Sequence, residues 1–110
     1  MLVYLAGPYS GDVEANIEAA RQVAVELWDK GYYVLCPHMN SAFFDRYCKK
    51  ATWDAFMLGY LTMLHRCDAV VMLPGWRGSR GARIERSFAD NRGVPVYEWP
   101  DVPPGGDDDL

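Results

Sequence analysis

The sequence has 110 residues, half of them hydrophobic, and a formal net charge of −4 at pH 7. That length fits one small domain, and the apolar half is sufficient for a hydrophobic core. The acidic balance argues against binding of nucleic-acid polymers, which requires a basic surface. No apolar run approaches the length that spans a membrane, and no charged-then-apolar leader opens the chain.

Cysteine and histidine usage favours a cytoplasmic protein without a metal site. The chain has an odd number of cysteines, without C-x-x-C spacing, which is typical of free thiols in a reducing compartment. They are Cys36, Cys48 and Cys67. His38 and His65 lie far apart, and neither pairs with a cysteine at zinc-ligand spacing.

Strand-like and helix-like segments alternate along the chain. The apolar run at the start stops at Gly7-Pro8, which is typical of a buried strand, and Asp12 stands where a helix needs an N-cap. Residues 38–50 are the least regular part and are expected to form a long loop or a short helix. The predicted elements are strand Met1–Ala6, helix Val13–Lys30, strand Tyr32–Cys36, helix Trp53–Arg66, strand Ala69–Leu73, helix Ala82–Asn91 and strand Pro95–Glu98.

This alternation predicts an α/β fold with a parallel sheet of four or five strands and helices on both faces. The expected architecture is a flavodoxin-like or Rossmann-like three-layer sandwich over residues 1–99. Residues 100–110 contain prolines, glycines and three consecutive aspartates, and are expected to form a flexible acidic tail.

The most informative segment is Gly75–Glu85, Gly-Trp-Arg-Gly-Ser-Arg-Gly-Ala-Arg-Ile-Glu. It connects the third predicted strand to a helix, and a glycine-rich loop before a helix offers free N–H groups and a favourable dipole to an anion. In parallel sheets, ligands bind beyond the carboxyl ends of the strands, where the loops Gly7–Asp12 and Pro74–Gly81 must lie. With Glu85 beside them, the pattern predicts chemistry on a phosphorylated substrate.

Three motifs carry a resemblance to a known family. They are Val-Tyr-Leu-Ala-Gly-Pro-Tyr-Ser-Gly at 3–11, Cys-Asp-Ala-Val-Val at 67–71, and the segment 75–85. With these motifs the chain resembles the nucleoside 2-deoxyribosyltransferase-like superfamily, and in particular its small branch and the nucleoside 5′-monophosphate N-glycosidases. The resemblance implies cleavage or exchange of the bond between a sugar carbon and a base nitrogen. The partner is then a small nucleotide, and neither a metal nor an organic cofactor is needed.

The resemblance also implies residue roles. Glu85 matches the glutamate that attacks the anomeric carbon, and Tyr4 matches the tyrosine that orients it. Ser79 stands where the monophosphate-hydrolysing relatives have a phosphate-binding serine. The two loops supply the other substrate-binding candidates, which are Gly7, Ser10, Gly11, Arg80 and Gly81.

One position departs from the family pattern. An aspartate that contacts the sugar hydroxyl or assists the leaving base is replaced by Tyr60, which is retained as a substrate-binding candidate. Asp54, in the first turn of the same predicted helix, is the candidate catalytic replacement, because that turn is expected over the carboxyl edge of the sheet.

Other readings stay open from the residues alone. Glu85 is either catalytic or a solvated helix carboxylate, and Tyr4 is either catalytic or part of the core. His38 either contacts the base or is structural, and Trp76 either stacks on a base or closes a dimer. The Phe43-Phe44 pair either lines a base pocket or anchors a loop. Asp68 begins a strand, so it is expected at the opposite edge, bonding backbone.

The expected function is hydrolysis of the N-glycosidic bond of a (deoxy)nucleoside 5′-monophosphate through a glutamate nucleophile. The alternatives are deoxyribosyl transfer, dinucleotide hydrolysis on the same scaffold, or a catalytically silent nucleotide-binding module. A homodimer or homotetramer is expected because the second long helix is apolar on all sides. Its apolar side chains include Trp53, Phe56, Leu58 and Met63.

Overall fold

The computed structural model of the protein describes residues 1–105, in which four parallel strands form one sheet with helices on both faces. The strands are β1 Leu2–Ala6, β2 Tyr33–Leu35, β3 Ala69–Met72 and β4 Val96–Glu98; the helices are α1 Val13–Asp29, α2 Pro37–Asn40, α3 Trp53–His65 and α4 Arg80–Arg92. The predicted α/β class is therefore confirmed. None of the helices in this part of the chain is long and apolar enough to cross a bilayer.

The order of the strands across the sheet is β2-β1-β3-β4. Val3 and Tyr4 of β1 pair with Ala69 and Val70 of β3. The chain winds outward in opposite directions from this central pair, so the strand order reverses between β1 and β3. In a parallel sheet the crevice beyond the carboxyl ends of such a pair is where a ligand binds.

Alternation along β1 divides the core between the two faces of the sheet. Tyr4 and Ala6 pack on one face, in a cluster with residues of α3 and α4. Val3 and Leu5 pack on the other face, against α1. Tyr4 thus points toward the side of the sheet from which α4 can meet it.

Each long helix begins at a residue whose side-chain oxygen accepts a hydrogen bond from the backbone three residues on. These caps are Asp12 for α1, Thr52 for α3 and Ser79 for α4. The cap places the start of α4 at Arg80, two residues before the predicted start. As a result, Glu85 lies in the second turn of this helix, with its carboxyl group directed into the protein.

The predicted acidic tail differs from the structure at its beginning. Val102 packs against the core cluster on the α1 face, and Pro103 is buried. The hydroxyl group of Tyr32 donates a hydrogen bond to the carbonyl oxygen of Pro103. These apolar side chains cover the sheet beside α1, so the chain remains packed beyond residue 100. Residues 106–110, the rest of the predicted tail, lie outside the described residues.

Candidate active site

A cavity of about 370 Å³ opens at the carboxyl ends of β1 and β3, where the topology predicts a ligand. Four parts of the chain enclose it: the loop after β1, the segment after β2, one face of α3 and the first turns of α4. Its lining residues are Ala6, Gly7, Tyr9, Ser10, Pro37, His38, Ser41, Asp45, Ala51, Trp53, Phe56, Met57, Tyr60, Ser79, Gly81, Ala82 and Glu85.

Glu85 and Tyr4 form a buried pair at this cavity. Glu85 lines the cavity although it is only 6% exposed, and Tyr4 beside it is fully buried. The Tyr4 hydroxyl group donates a hydrogen bond to Oε2 of Glu85, which joins β1 to α4. Glu85 is therefore not a solvated helix carboxylate. Tyr4 belongs to the core and also contacts the carboxylate group of Glu85. A place in the core and a role beside the catalytic carboxylate are therefore compatible for this residue.

Burial controls the protonation of this pair. It raises the pKa of Glu85 from 4.5 to about 7, although the hydrogen bond from Tyr4 acts in the opposite direction. Burial and the neighbouring Glu85 raise the pKa of Tyr4, which therefore keeps its proton and acts as the donor. A desolvated carboxylate with one fixed donor is poised near neutral pH and is suited to attack an electrophilic carbon.

The N-terminal turn of α4 lies beside Glu85. The Ser79 hydroxyl oxygen accepts a hydrogen bond from the backbone N–H of Ala82, with an N···O distance of 3.2 Å, and both residues line the cavity. A Cβ atom at Gly81 would lie 3.1 Å from Cε of Met57, the far end of a flexible side chain, so α3 packs closely against the first turn of α4 here. The first turn of a helix carries unpaired N–H groups and partial positive charge, which suits an anionic group of a ligand.

The loop after β1 reaches the cavity through Gly7 and Ser10. A Cβ atom at Gly7 would lie 2.6 Å from Cβ of Leu73, a distance that side chains essentially never adopt. Glycine at this position is what allows the loop to lie against the end of β3. The structure therefore brings Ser10 and Ser79 to the same cavity, as the sequence predicted.

Gly11 does not reach this cavity. It lines a second depression of about 280 Å³ at the start of α1, together with three carboxylate-bearing residues, Asp12, Glu14 and Asp45, and one cationic residue, Arg46. The three carboxylates outnumber the single guanidinium group, so the charge of this depression disfavours an incoming phosphate. The expectation that Gly11 helps to bind phosphate is therefore not supported by its position.

Arg80 is also placed differently from the expectation. Its side chain is exposed, and its guanidinium group lies 4.8 Å from the ring centroid of Trp53. The face of an indole ring attracts a cation, which explains this position. Among residues 1–105, no arginine or lysine lines the cavity, so an anion there depends on N–H and hydroxyl donors.

On α3, Tyr60 lines the cavity and Asp54 does not. The Tyr60 hydroxyl oxygen accepts a hydrogen bond of 2.9 Å from the side-chain amide of Asn40 and is also hydrogen-bonded to the hydroxyl group of Ser41. Asp54 is exposed outside the cavity, because the inward face of α3 carries Trp53 and the residues three, four and seven positions later. The position of Asp54 therefore does not support the expectation that it replaces the family aspartate.

His38 lines the cavity and is also fully engaged within the protein. Its Nε2 lies 2.6 Å from the carbonyl oxygen of Pro8, and its Nδ1 lies 3.6 Å from Sγ of Cys36. A carbonyl oxygen only accepts, so Nε2 carries the proton. Burial lowers the pKa of His38 and raises the pKa of Cys36 to about 11, so an uncharged imidazole meets a thiol. His38 is a structural residue that fixes the loop after β1.

Trp76 and the two phenylalanines lie outside the cavity lining. Trp76 donates from Nε1 to Glu98 at 3.0 Å, and the guanidinium group of Arg77 lies over its ring. The N–H of Phe43 donates to the Tyr9 hydroxyl at 2.9 Å, which ties the loop after α2 to the loop after β1.

Several lining residues were not predicted from the sequence. They are Ala6, Tyr9, Pro37, Ser41, Asp45, Ala51, Trp53, Phe56, Met57 and Ala82. Some of these residues could have been predicted, because Pro37 follows β2 and the segment after it must start at the carboxyl edge of the sheet. The irregular composition of residues 38–50 gave no indication that this segment turns back over the cavity.

Comparison with known proteins agrees with this architecture. A family model described as a domain of unknown function, DUF4406, matches residues 1–98. No curated protein sequence matches the chain. A similar solved structure is the 2-deoxyribosyltransferase of the psychrotolerant bacterium Bacillus psychrosaccharolyticus, with 18% identity and a TM-score of 0.63.

That structural match covers 89% of this chain and 71% of the bacterial enzyme. It shows that this chain has the same fold as that enzyme. The match to the family model extends over nearly all of the sequence, from β1 to the end of β4. The chain therefore belongs to the DUF4406 family.

Proposed function

We propose that the protein is an N-glycosidase that hydrolyses the bond between base and sugar in a (deoxy)nucleoside 5′-monophosphate. The observation that carries the proposal is the Tyr4–Glu85 pair, a buried carboxylate with one hydrogen-bond donor and access to a cavity. The structural neighbour is named as a 2-deoxyribosyltransferase used in nucleoside synthesis, which supports the substrate class.

The shape and lining of the cavity suit a mononucleotide. Pockets for small molecules are typically 300–1,000 Å³ and mostly apolar, and this one holds about 370 Å³. Tyr9, Trp53, Phe56 and Tyr60 supply aromatic walls on which a flat base can stack. A base held against these walls, with its sugar toward α4, presents C1′ to Glu85.

The proposed reaction uses two displacements at C1′. An oxygen of the Glu85 carboxylate attacks C1′, and the bond to the base nitrogen breaks with its electron pair leaving on the base. The base takes a proton from solvent and departs, and the sugar is left as an ester of Glu85. Water then attacks C1′ and gives one proton to solvent while the ester bond between C1′ and Glu85 breaks, which releases the sugar 5-phosphate and restores the carboxylate. Tyr4 holds the carboxylate throughout.

The 5′-phosphate is assigned to the N-terminal turn of α4. Ser79 and Gly81 line the cavity there, and Ser10 faces the same space from the loop after β1. Binding energy from this remote group would align the sugar with Glu85 without taking part in the chemistry.

Incubation of the protein with a panel of ribo- and deoxyribonucleoside 5′-monophosphates tests the proposal. We expect free base and sugar phosphate, separated by chromatography, and a loss of at least roughly 10³-fold in kcat for Glu85→Gln with nucleotide binding retained. Release of base by Glu85→Gln at a rate close to wild type would contradict the proposal. Adding a second free base distinguishes hydrolysis from deoxyribosyl transfer, the second candidate.

Assembly through α3 is part of the proposal. Trp53 and Met63 are 44% and 40% exposed, and Leu58, on the other side of the helix, is 68% exposed. Apolar side chains on both sides of a surface helix favour a protein contact, and a two-fold axis would bury the same patch on both copies. Sedimentation analysis at micromolar concentration should show a dimer or tetramer. A fully active monomer would contradict it.

A further inference from the structure

A second carboxylate, Asp45, reaches the cavity wall and is not accounted for by the proposed reaction. It lies in a short 3-10 turn, Phe44–Arg46, within the irregular segment after α2. Asp45 lines both the main cavity and the second depression beside it. Within residues 1–105, no hydrogen bond or ion pair engages its side chain. Asp45 is exposed, and it stands at the rim where the cavity meets solvent. A carboxylate there without a protein partner is available to a ligand.

The turn that presents Asp45 is fixed from both sides. Phe43, which precedes it, adopts φ +63°, a left-handed conformation that is unfavourable for a bulky side chain and persists only where the surroundings hold it. The Phe43 N–H donates to the Tyr9 hydroxyl at 2.9 Å, and the Arg46 guanidinium lies 4.3 Å from the Phe43 ring centroid. Arg46 is therefore stacked on a ring and does not pair with Asp45.

Electrostatics separate the two ends of a bound nucleotide. A phosphate is repelled by the Asp45 carboxylate and favoured at the N-terminal turn of α4, where Ser79 and Gly81 lie. With the phosphate at α4 and C1′ at Glu85, the base is the part of the nucleotide left for the Asp45 side. A carboxylate has acceptor oxygens only, so the edge of the base that it contacts must carry N–H donors.

We propose that Asp45 is the residue that selects the base, and that the preferred substrates are guanine nucleotides. Guanine places a ring N–H next to an exocyclic amino group, and a carboxylate can accept both hydrogen bonds at once. Hypoxanthine lacks the amino group, and uracil flanks its N–H with two carbonyl oxygens that repel a carboxylate. This inference rests on the proposed function for the placement of the sugar and phosphate.

The test uses a matched pair of ligands, guanosine and inosine 5′-monophosphates, in both ribose and 2′-deoxyribose forms. Dissociation constants are measured by calorimetry on the full chain carrying Glu85→Gln, which should bind without turnover. We expect guanine to bind about tenfold or more tightly than hypoxanthine, the effect of one additional hydrogen bond to a charged group. Adding Asp45→Asn should remove most of that preference.

Glu14→Gln in the same background is the matched control. Glu14 also lines the second depression and loses the same charge, but it does not line the main cavity. The control should keep the preference for guanine. Equal affinities in the parent, a preference that survives Asp45→Asn, or no measurable binding of either ligand would overturn the inference.

The outcomes also separate this inference from the proposed function. The protein could bind guanine selectively, lose that selectivity with Asp45→Asn, and still release no base. That result would keep Asp45 as a recognition residue and reject the proposed hydrolase activity. Base release with no difference between guanine and hypoxanthine would retain the hydrolase and reject the role of Asp45.

Discussion

The two edges of the sheet each hold a carboxylate, and the two groups behave differently. Asp68 lies at the amino edge, immediately before β3, and is exposed. Its Oδ2 accepts the backbone N–H of Leu2 at 2.7 Å, as expected for a residue that bonds backbone at that edge. Glu85 lies at the carboxyl edge, where it is buried and bonded to the hydroxyl group of Tyr4.

The comparison shows how the environment separates a structural carboxylate from a reactive one. Asp68 completes the hydrogen bonding of β1 while its charge remains in water. The charge of Glu85 is removed from water, and burial raises its pKa to about 7. A buried carboxyl group with a raised pKa destabilises the fold when it ionises. Active sites commonly contain ionisable groups of this kind.

The largest difference between the two carboxylates should appear in stability. In the folded protein the pKa of Glu85 is raised from 4.5 to about 7, so its favourable contribution is complete below about pH 4.5 and is lost as pH rises through about 7. Glu85→Gln, which stays neutral, should therefore be more stable than wild type at pH 8 by about 3 kcal/mol. Urea unfolding at pH 4.5 and pH 8 measures this.

Asp68→Asn is the opposing control for that experiment. It weakens the hydrogen bond to the N–H of Leu2 and should destabilise the protein by about 1 kcal/mol at pH 8, with activity per folded molecule unchanged. If Glu85→Gln and Asp68→Asn shift stability in the same direction at pH 8, the distinction between the two edges is wrong.

Tyr4→Phe should affect the rate in a pH-dependent manner. The hydrogen bond from Tyr4 lowers the pKa of Glu85, so its loss raises that pKa and moves the acidic limb of the pH–rate profile to higher pH. The rate at pH 7 should fall roughly tenfold or more, with partial recovery at higher pH. An equal loss of kcat at every pH would indicate that Tyr4 only supports the fold.

Ser79 should show a smaller effect that depends on the substrate. Ser79→Ala should raise KM for monophosphates roughly tenfold, and should also destabilise α4 by about 1 kcal/mol because the cap is lost. Ser79→Asp separates the two roles, because aspartate is a good cap but repels phosphate. Ser79→Asp should weaken the binding of monophosphates and leave the binding of unphosphorylated nucleosides little changed. Equal losses on both substrate types would exclude a phosphate role.

The sequence predicts the elements that build the catalytic edge because their patterns are local. Apolar runs, helical periods and cap residues define the four strands and three long helices within a few residues. Alternation of these elements requires parallel strands, and this places the loop after β1 and the start of α4 at one edge. The contact between Tyr4 and Glu85 follows from that topology together with the motif resemblance.

The remaining residues of the site depend on tertiary contacts that no local pattern encodes. The indole ring of Trp53 attracts the Arg80 side chain, and the phase of α3 turns Asp54 outward, so neither side chain lies in the cavity as its position in the chain had suggested. Asp45 was missed for the same reason. The position of Asp45 depends on the left-handed conformation of Phe43 and on the hydrogen bond from Phe43 to the hydroxyl group of Tyr9, which precedes Phe43 by 34 residues.

The stereochemistry of the reaction tests the central claim, that Glu85 acts as a nucleophile, most directly. With methanol added to the reaction, the second displacement yields a methyl glycoside whose configuration at C1′ is read by NMR. Two displacements predict retention, so a β-nucleotide gives the methyl β-glycoside. A methyl α-glycoside as the initial product would mean that the acceptor attacks the nucleotide directly, and would contradict a covalent intermediate on Glu85.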